Sequence, residues 1–414
     1  MRGWQLERRT ENKLMSFLGV LFFLFLADAM LSDWIPGFVQ EITKSPLLMG
    51  LVVSLSSVMG LIMDFVFAEI LEGKKLRKII WWAWMGCVSL AGWLGLTVLK
   101  PWLLWLVLGM ASWGIYFDLF NFLSQKFVIE NVKREERSAV WGVVGMVRNL
   151  AYFLGPLIGT GLTLSGETKV LWGAGLALAI AGIGLGLLPQ KVVEKEKRIS
   201  YAKLSFKTEL KHWLVLAEHV WPLLVMSLLL NFIDATYWTT GTIVTDKLAQ
   251  ENWWGSLFLS FYVLPFLFVG GWLAKFKIVK GKKKLALRTM VGAGLLLGLM
   301  MVSGKVWWKL GIVLFSSTLL AVSWPMVNAV YSDLIVRMKR EREMLVGLSD
   351  SMMNVAYVIG PVLAGWIASL VGEEKTFMVV GLMMAVVSLS LWLIMPKKLK
   401  LPQKEIETWK EQEE

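Results

Sequence analysis

The 414-residue sequence has one cysteine, Cys87, and two histidines, His212 and His219. A single cysteine excludes an internal disulfide. The two histidines lie near a helix start and offer no metal-ligand set. Proline is scarce at 11, which leaves little of the chain for linkers. There is no phosphate-cradling GxxxxGK(S/T), no GxSxG elbow and no HExxH, so no nucleophile–base set or metal cluster points to an enzyme, and no cofactor is expected. Charge is scarce as well: 18% of residues are charged against 56% hydrophobic, with a mean hydropathy of +0.61. That balance excludes a water-soluble globule and fits a multi-spanning membrane protein.

What the sequence does contain is a stretch written twice. Residues 142–161 read GVVGMVRNLAYFLGPLIGTG and residues 347–366 read GLSDSMMNVAYVIGPVLAGW. Shifted by 205 positions, six residues coincide within fifteen: Gly142/Gly347, Asn149/Asn354, Ala151/Ala356, Tyr152/Tyr357, Gly155/Gly360 and Pro156/Pro361. Ordinary usage gives roughly one or two matches over such a span, so the chain reads as two copies of one unit. Small residues recur every fourth position (Ala151, Gly155, Gly159; Ala356, Gly360, Ala364). That spacing lets membrane helices approach backbone to backbone, and Pro156 and Pro361 predict a kink in each copy.

In chain order, a basic start (1–13) precedes apolar runs near 14–33, 47–71, 79–99, 102–127 and 139–164, and a sixth that ends near Pro189. The first run has no small-residue cleavage site and reads as a spanning helix. Residues 34–46 are expected to be a loop. A lysine-rich connector follows, and then six more runs near 219–244, 253–274, 285–303, 307–336, 344–371 and 376–395. The boundaries read as a six-helix half (1–190), a cytoplasmic linker (191–215), a second six-helix half (216–396) and a cytoplasmic tail (397–414). With both termini inside, the inner segments carry 35 of the 43 Lys and Arg and the outer loops 7; Arg148 alone lies within a span. This asymmetry predicts a protein of the cytoplasmic membrane with both termini cytoplasmic. The net charge of +12 is therefore a membrane-surface feature and not a nucleic-acid footprint. Trp81–Trp82, Trp253–Trp254 and Trp307–Trp308 fall at run ends, where interfacial indoles belong. The fold class is an all-α membrane protein of twelve transmembrane helices in two six-helix repeats.

Six plus six spans, a long basic central loop and parallel repeats resemble the major facilitator superfamily over nearly the whole chain. In the fifth helix, Gly142, Ala151, Gly155-Pro156 and Gly159-Thr160 resemble motif C of drug/proton antiporters, with Ala and Thr where two glycines are usual. The turn after helix two is loosely similar to motif A, GxxxDRxGRR, with Ala68 for its glycine, Glu72 for its aspartate and Arg77 for an arginine. The motif B arginine would fall near Trp105, four residues before Gly109, and is missing. The resemblance implies a carrier that works as a monomer in the lipid bilayer, with helices one and seven beside a central cavity.

Ionisable residues within hydrocarbon are costly, so each needs a reason. Asp28 and Asp234 occupy equivalent repeat positions (LADAM against FIDAT) at matching depth, roughly 21–22 Å along their helices. Two such carboxylates near a pseudo-twofold axis would repel if both were ionised. They could bind and release protons or hold a cation; alternatively each caps a neighbouring helix or meets water. Arg148, the one base within a span, could bind an anionic substrate or be neutralised by Asp118 or Asp64, and the ion pair is the favoured reading. Asn149, Asn354, Asn121 and Gln125 are polar groups at cavity or helix contacts. Glu69, Asp333 and Asp350 lie close to the cytoplasmic surface. The expected function is secondary active transport of a small molecule by alternating access, driven by protons, with efflux of lipophilic or cationic compounds as the first choice. Uptake of an organic solute is the alternative. A non-transporting sensor or scaffold on the same fold would have its acids locked in pairs and no central cavity.

Overall fold

Apolar runs of this length in a bilayer must satisfy their backbone hydrogen bonds internally, which dictates helix. The computed structural model describes residues 8–70, 75–132, 137–166, 168–187, 206–276, 281–335 and 342–395. Among the described residues there are thirteen α-helices and no strand. The first half holds α1 (Arg8–Thr43), α2 (Pro46–Ile70), α3 (Leu76–Leu99), α4 (Leu103–Asn131), α5 (Arg137–Ser165) and α6 (Lys169–Leu187). The second holds α7 (Phe206–Tyr237), α8 (Thr240–Glu251), α9 (Leu257–Phe276), α10 (Lys282–Gly298), α11 (Val306–Ile335), α12 (Arg342–Val371) and α13 (Glu373–Ile394). Ten segments of the described residues are long and apolar enough to cross a bilayer, with α7 and α8 counted together. The shorter α9 and α10 complete the twelve spans.

The halves pack alike. In the first, α1 lies against α5 and α6, α3 against α4 and α2 against α4; in the second, α7 lies against α12, α10 against α11 and α13, and α9 against α11. The halves meet along two repeat-related seams, α2 with α12 and α5 with α9. At the first seam the backbones nearly touch: a Cβ on Gly50 would stand 2.1 Å from the Pro361 carbonyl oxygen, and one on Gly365 would stand 2.2 Å from that of Pro46. At the second, the Ser260 hydroxyl donates to the Phe153 carbonyl at 2.8 Å, and Asn149 Nδ2 donates to the Phe266 carbonyl at 3.4 Å. Among the described residues, hydrogen bonds between the halves lie from mid-helix toward the face opposite the N-terminus, hereafter the far face.

Two boundaries differ from the sequence reading. The expected loop at 34–46 is instead helix as far as Thr43, because Trp34, Ile35 and Val39 are buried and hold the chain helical through Pro36. The chain is also helical from Phe206, inside the stretch read as connector. The seventh span breaks at Trp238–Thr239, just beyond Asp234. Hydroxyls of Thr236, Thr239, Thr242 and Thr245 donate to carbonyls three or four residues earlier, and such back-bonding competes with the helical ladder. Trp253, Trp254, Trp307 and Trp308 are exposed at helix starts on the far face, as an interfacial belt requires.

Candidate functional site

The repeated stretch places its small residues against the two aspartate helices. A Cβ on Gly155 would stand 2.3 Å from the Cβ of Ala29 and 3.0 Å from its carbonyl carbon; one on Gly360 would stand 2.7 Å from the Cβ of Ala235. Each glycine therefore seats its helix directly beside the residue that follows an aspartate. Three residues earlier on the same helices come Tyr152 and Tyr357, nearly one turn back and on the same face. The Tyr152 hydroxyl donates to Asp28 Oδ2 and the Tyr357 hydroxyl to Asp234 Oδ2. A second tyrosine completes each grip: Tyr116 on α4 donates to Asp28 Oδ1, and Tyr262 on α9 donates to Asp234 Oδ1. Trp113 Nε1 adds a third donor to Asp28 Oδ1 at 3.0 Å. Four of the chain's seven tyrosines thus serve two carboxylates.

One aromatic contact reaches across the halves, and another braces the second nest. The Tyr152 ring meets Trp238 of the opposite half edge-on, with centroids 5.1 Å apart, and the Tyr262 ring stacks on Tyr237 at 3.8 Å. Arg148 stands between the nests. Its guanidinium rests over the rings of Phe25, Phe117 and Tyr152 at 5.5–5.9 Å, and its charge acts on both Asp28 and Asp234. Such placements over ring faces are favourable when desolvated, by about 1–2 kcal/mol each.

Asp28 is fully buried, whereas Asp234 is partly exposed. Arg148, Asn149 and Asn354 are also partly exposed, with Asn354 one turn before Tyr357. Of the two acids expected to neutralise Arg148, Asp64 has its side chain outside the described residues, and a pair with Asp118 is not among the described contacts. Asp118 packs instead at the α2–α4 seam, with its Oδ2 2.8 Å from where a Cβ on Gly60 would stand. The side chains of Asp64, Glu69, Ala68, Gln125 and Asp350, and all of Glu72, lie outside the described residues. Asp333 forms an ion pair with Lys282 at 2.7 Å near the N-terminal face. Pro156 and Pro361 lie within continuous helices. Trp113, Tyr116 and Tyr262 escaped the sequence reading. The signal that could have found them is the scarcity of tyrosine beside 23 Trp and 21 Phe, because a hydroxyl in hydrocarbon needs a partner.

Comparison with known proteins decides the family. The model of the Major Facilitator Superfamily matches residues 17–337 and 248–412. The chain belongs to the Major Facilitator Superfamily. Among solved members of this fold, the nucleoside transporter NupG superposes with a TM-score of 0.71 at 13% identity, over 92% of this chain and 98% of that one. A POT family transporter in complex with 5-aminolevulinic acid gives 0.68 at 14% identity, over 93% and 96%. The human organic anion transporter MFSD10 gives 0.62 at 16% identity, over 95% and 100%. No curated protein matches by sequence. At these identities the likeness is one of fold, and the superfamily's twelve-helix, two-repeat architecture is the one described above.

Proposed function

We propose that the protein is a proton-driven carrier for a small organic molecule, working by alternating access with Asp28 and Asp234 as a coupling pair. The observation that carries this reading is the duplicated grip: each half holds one intramembrane carboxylate by the hydroxyls of two tyrosines on two other helices. An intramembrane acid marks an ion or substrate path by default. The grip also gives protonation a mechanical consequence. An ionised carboxylate accepts from both tyrosines; once one oxygen carries a proton, that oxygen donates and accepts only weakly, so the bond from the tyrosine facing it loosens or reverses. For Asp28 this loosens α1 from α4 or α5, and Tyr152 transmits the change to Trp238 across the halves. Neutralising the carboxyls also removes the cost of closing a charged cavity.

With the termini on the cytoplasmic side, the far-face contacts make this the inward-facing arrangement, closed to the outside. The first-choice substrate is a lipophilic or cationic compound leaving the cell by exchange, which a wall of two acids, Trp113, Trp238 and four tyrosines would accommodate through ring contacts and charge. Arg148 favours a second reading. A partly exposed guanidinium with rings for neighbours can receive a substrate carboxylate bidentately, so an anionic or zwitterionic solute is the competing class. Nucleoside, peptide and organic anion transporters all share the fold, which leaves both classes open to it.

The test is substrate-induced proton movement in proteoliposomes, screened over lipophilic amines and over organic acids. Amine-induced alkalinisation or acidification that vanishes in Asp234→Asn supports the first reading. Transport of acids that vanishes in Arg148→Ala while the Asp variants retain downhill exchange supports the second. Proton movement that is unchanged in both Asp28→Asn and Asp234→Asn overturns the coupling role.

A further inference from the structure

About one and a half turns beyond Asp28 on α1, a second acid lies where the halves close. Asp33 is 2% exposed; its Oδ2 accepts from the Thr160 hydroxyl at 3.0 Å and lies 3.0 Å from where a Cβ on Gly159 would stand. Its Oδ1 is buried and has no hydrogen-bond partner among the described residues. One turn further along the same face comes Gly37, whose added Cβ would stand 3.2 Å from Asp246 Oδ2 on α8. Gly37 thus brings the Asp246 carboxylate, which belongs to the opposite half, to within a helical turn of Asp33, and the two groups act on each other. Beside them a cavity of about 330 Å³ opens toward the far face, lined by Gly37, Gln40, Glu41, Lys44 and Ile243.

The cations around this pair are committed elsewhere or lie at the rim. Lys247 of α8 bonds Glu373 of α13 at 2.9 Å, and Glu373 also accepts from Gln40 at 2.7 Å; Lys309 of α11 bonds Glu374 at 2.7 Å. Glu41, Lys44, Lys169, Glu251 and Lys375 are exposed at the far-face rim. On α5 the titratable groups with described side chains, Arg148 and Tyr152, belong to the central nests. A buried carboxylate with one lone hydrogen bond and a second carboxylate for a neighbour cannot be closed in as a dianionic pair without a cost of several kcal/mol.

We propose that Asp33 and Asp246 form a proton-binding site at the far-face gate, separate from the central pair, in which one proton shared across the halves lets α1 close on α8. The unpartnered Oδ1 and the adjacent cavity supply the acceptor and the access route. Loss of the proton leaves two carboxylates that repel across the seam, so the gate opens as the pH on that side rises and closes as it falls. This inference needs alternating access only; it does not depend on the substrate or on the central acids.

The test is a distance measurement between spin labels at Leu48→Cys and Gln250→Cys, one on each half near the gate, in a Cys87→Ala background in nanodiscs without substrate. From about pH 5 to about pH 9 the parent protein should shift from a single short distance to a mixture with a longer one. Asp33→Asn and, separately, Asp246→Asn should each keep the short distance at every pH, while Asp333→Asn, at the opposite face, retains the shift. Two independent isosteric variants guard against one that fails to fold. A pH-dependent shift that persists in both gate variants overturns the proposal. So does one that sodium in place of a bulky organic cation reproduces at fixed pH. Transport enters none of these readings, so failure here and failure of the central coupling role are told apart.

Discussion

Asp28, held by two tyrosines, is closed off from solvent, whereas Asp234, held by two others, remains partly exposed. The repeat sets both at the same register, next to Ala29 and Ala235, with a motif glycine pressed on each alanine. Their surroundings differ because the copies have diverged around them. Arg148 corresponds in the repeat to Met353, so a positive charge stands on one side of the axis only. The first span stays helical through Pro36 while the seventh breaks just past its aspartate. The comparison teaches that duplication delivers matched positions, and later substitution gives them unequal surroundings. In the proposed cycle, Asp234, nearer solvent and beside a break, exchanges protons more readily, and Asp28 couples its proton to the helices that it holds.

The sharpest way to break that comparison is to neutralise each acid. Asp234→Asn should cut gradient-driven accumulation on the order of 100-fold, equivalent to about 3 kcal/mol, while counterflow survives and folded yield stays near normal. Asp28→Asn should lose accumulation as fully and also lower folded yield, because an amide presents one acceptor oxygen to donors that now meet two. Equal yields from the two variants in size-exclusion profiles would erase the proposed division of labour.

Next in size are the glycines. Gly155→Ala should destabilise by about 1–3 kcal/mol, since the new methyl meets Ala29 side chain and backbone together, and Gly155→Leu should cripple transport. Gly360→Ala meets a single methyl and should cost less. Gly161→Ala, which has open space around it, is the control; melting curves of the three variants in detergent should rank in that order.

Removing single hydroxyls should have a smaller effect. Tyr152→Phe and Tyr357→Phe each delete one donor to an intramembrane carboxylate, worth about 1.5–3 kcal/mol when the acceptor is charged. Both should slow transport about tenfold or more, while Tyr152→Trp, which also disturbs the contacts with Trp238 and Arg148, should do worse than Tyr357→Trp. Indistinguishable initial rates for the two pairs would mean that Tyr152 carries nothing across the halves.

The smallest effects belong at the far-face rim. Lys247→Ala removes an exposed ion pair and should change stability by under about 1 kcal/mol. Lys309→Ala removes a buried partner of Glu374 and should cost distinctly more in thermal stability.

Span number, the two-unit plan and the matching positions of Asp28 and Asp234 were legible in the linear order. Hydrophobic length is dictated locally by bilayer thickness, and a duplication leaves residues in register. The resemblance to the superfamily rested on the same order. The end of the first span was not legible, because whether Trp34-Ile35-Pro36 continues a helix depends on what buries Trp34 and Ile35. The partners of the acids were hidden for a related reason. Tyr116 and Tyr262 lie on helices far from their aspartates in sequence, and a hydroxyl in an apolar run carries no mark of where it points. Arg148 shows the limit most plainly: composition says that a lone intramembrane cation needs compensation, and either an acid or a set of ring faces can supply it. Only the packing of α1, α4 and α5 brings Phe25, Phe117 and Tyr152 around it, as only the closing of α1 on α8 brings Asp33 toward Asp246. Local physics sets which residues enter the membrane as helix, and the long-range geometry of helices in contact sets which polar groups inside it find one another.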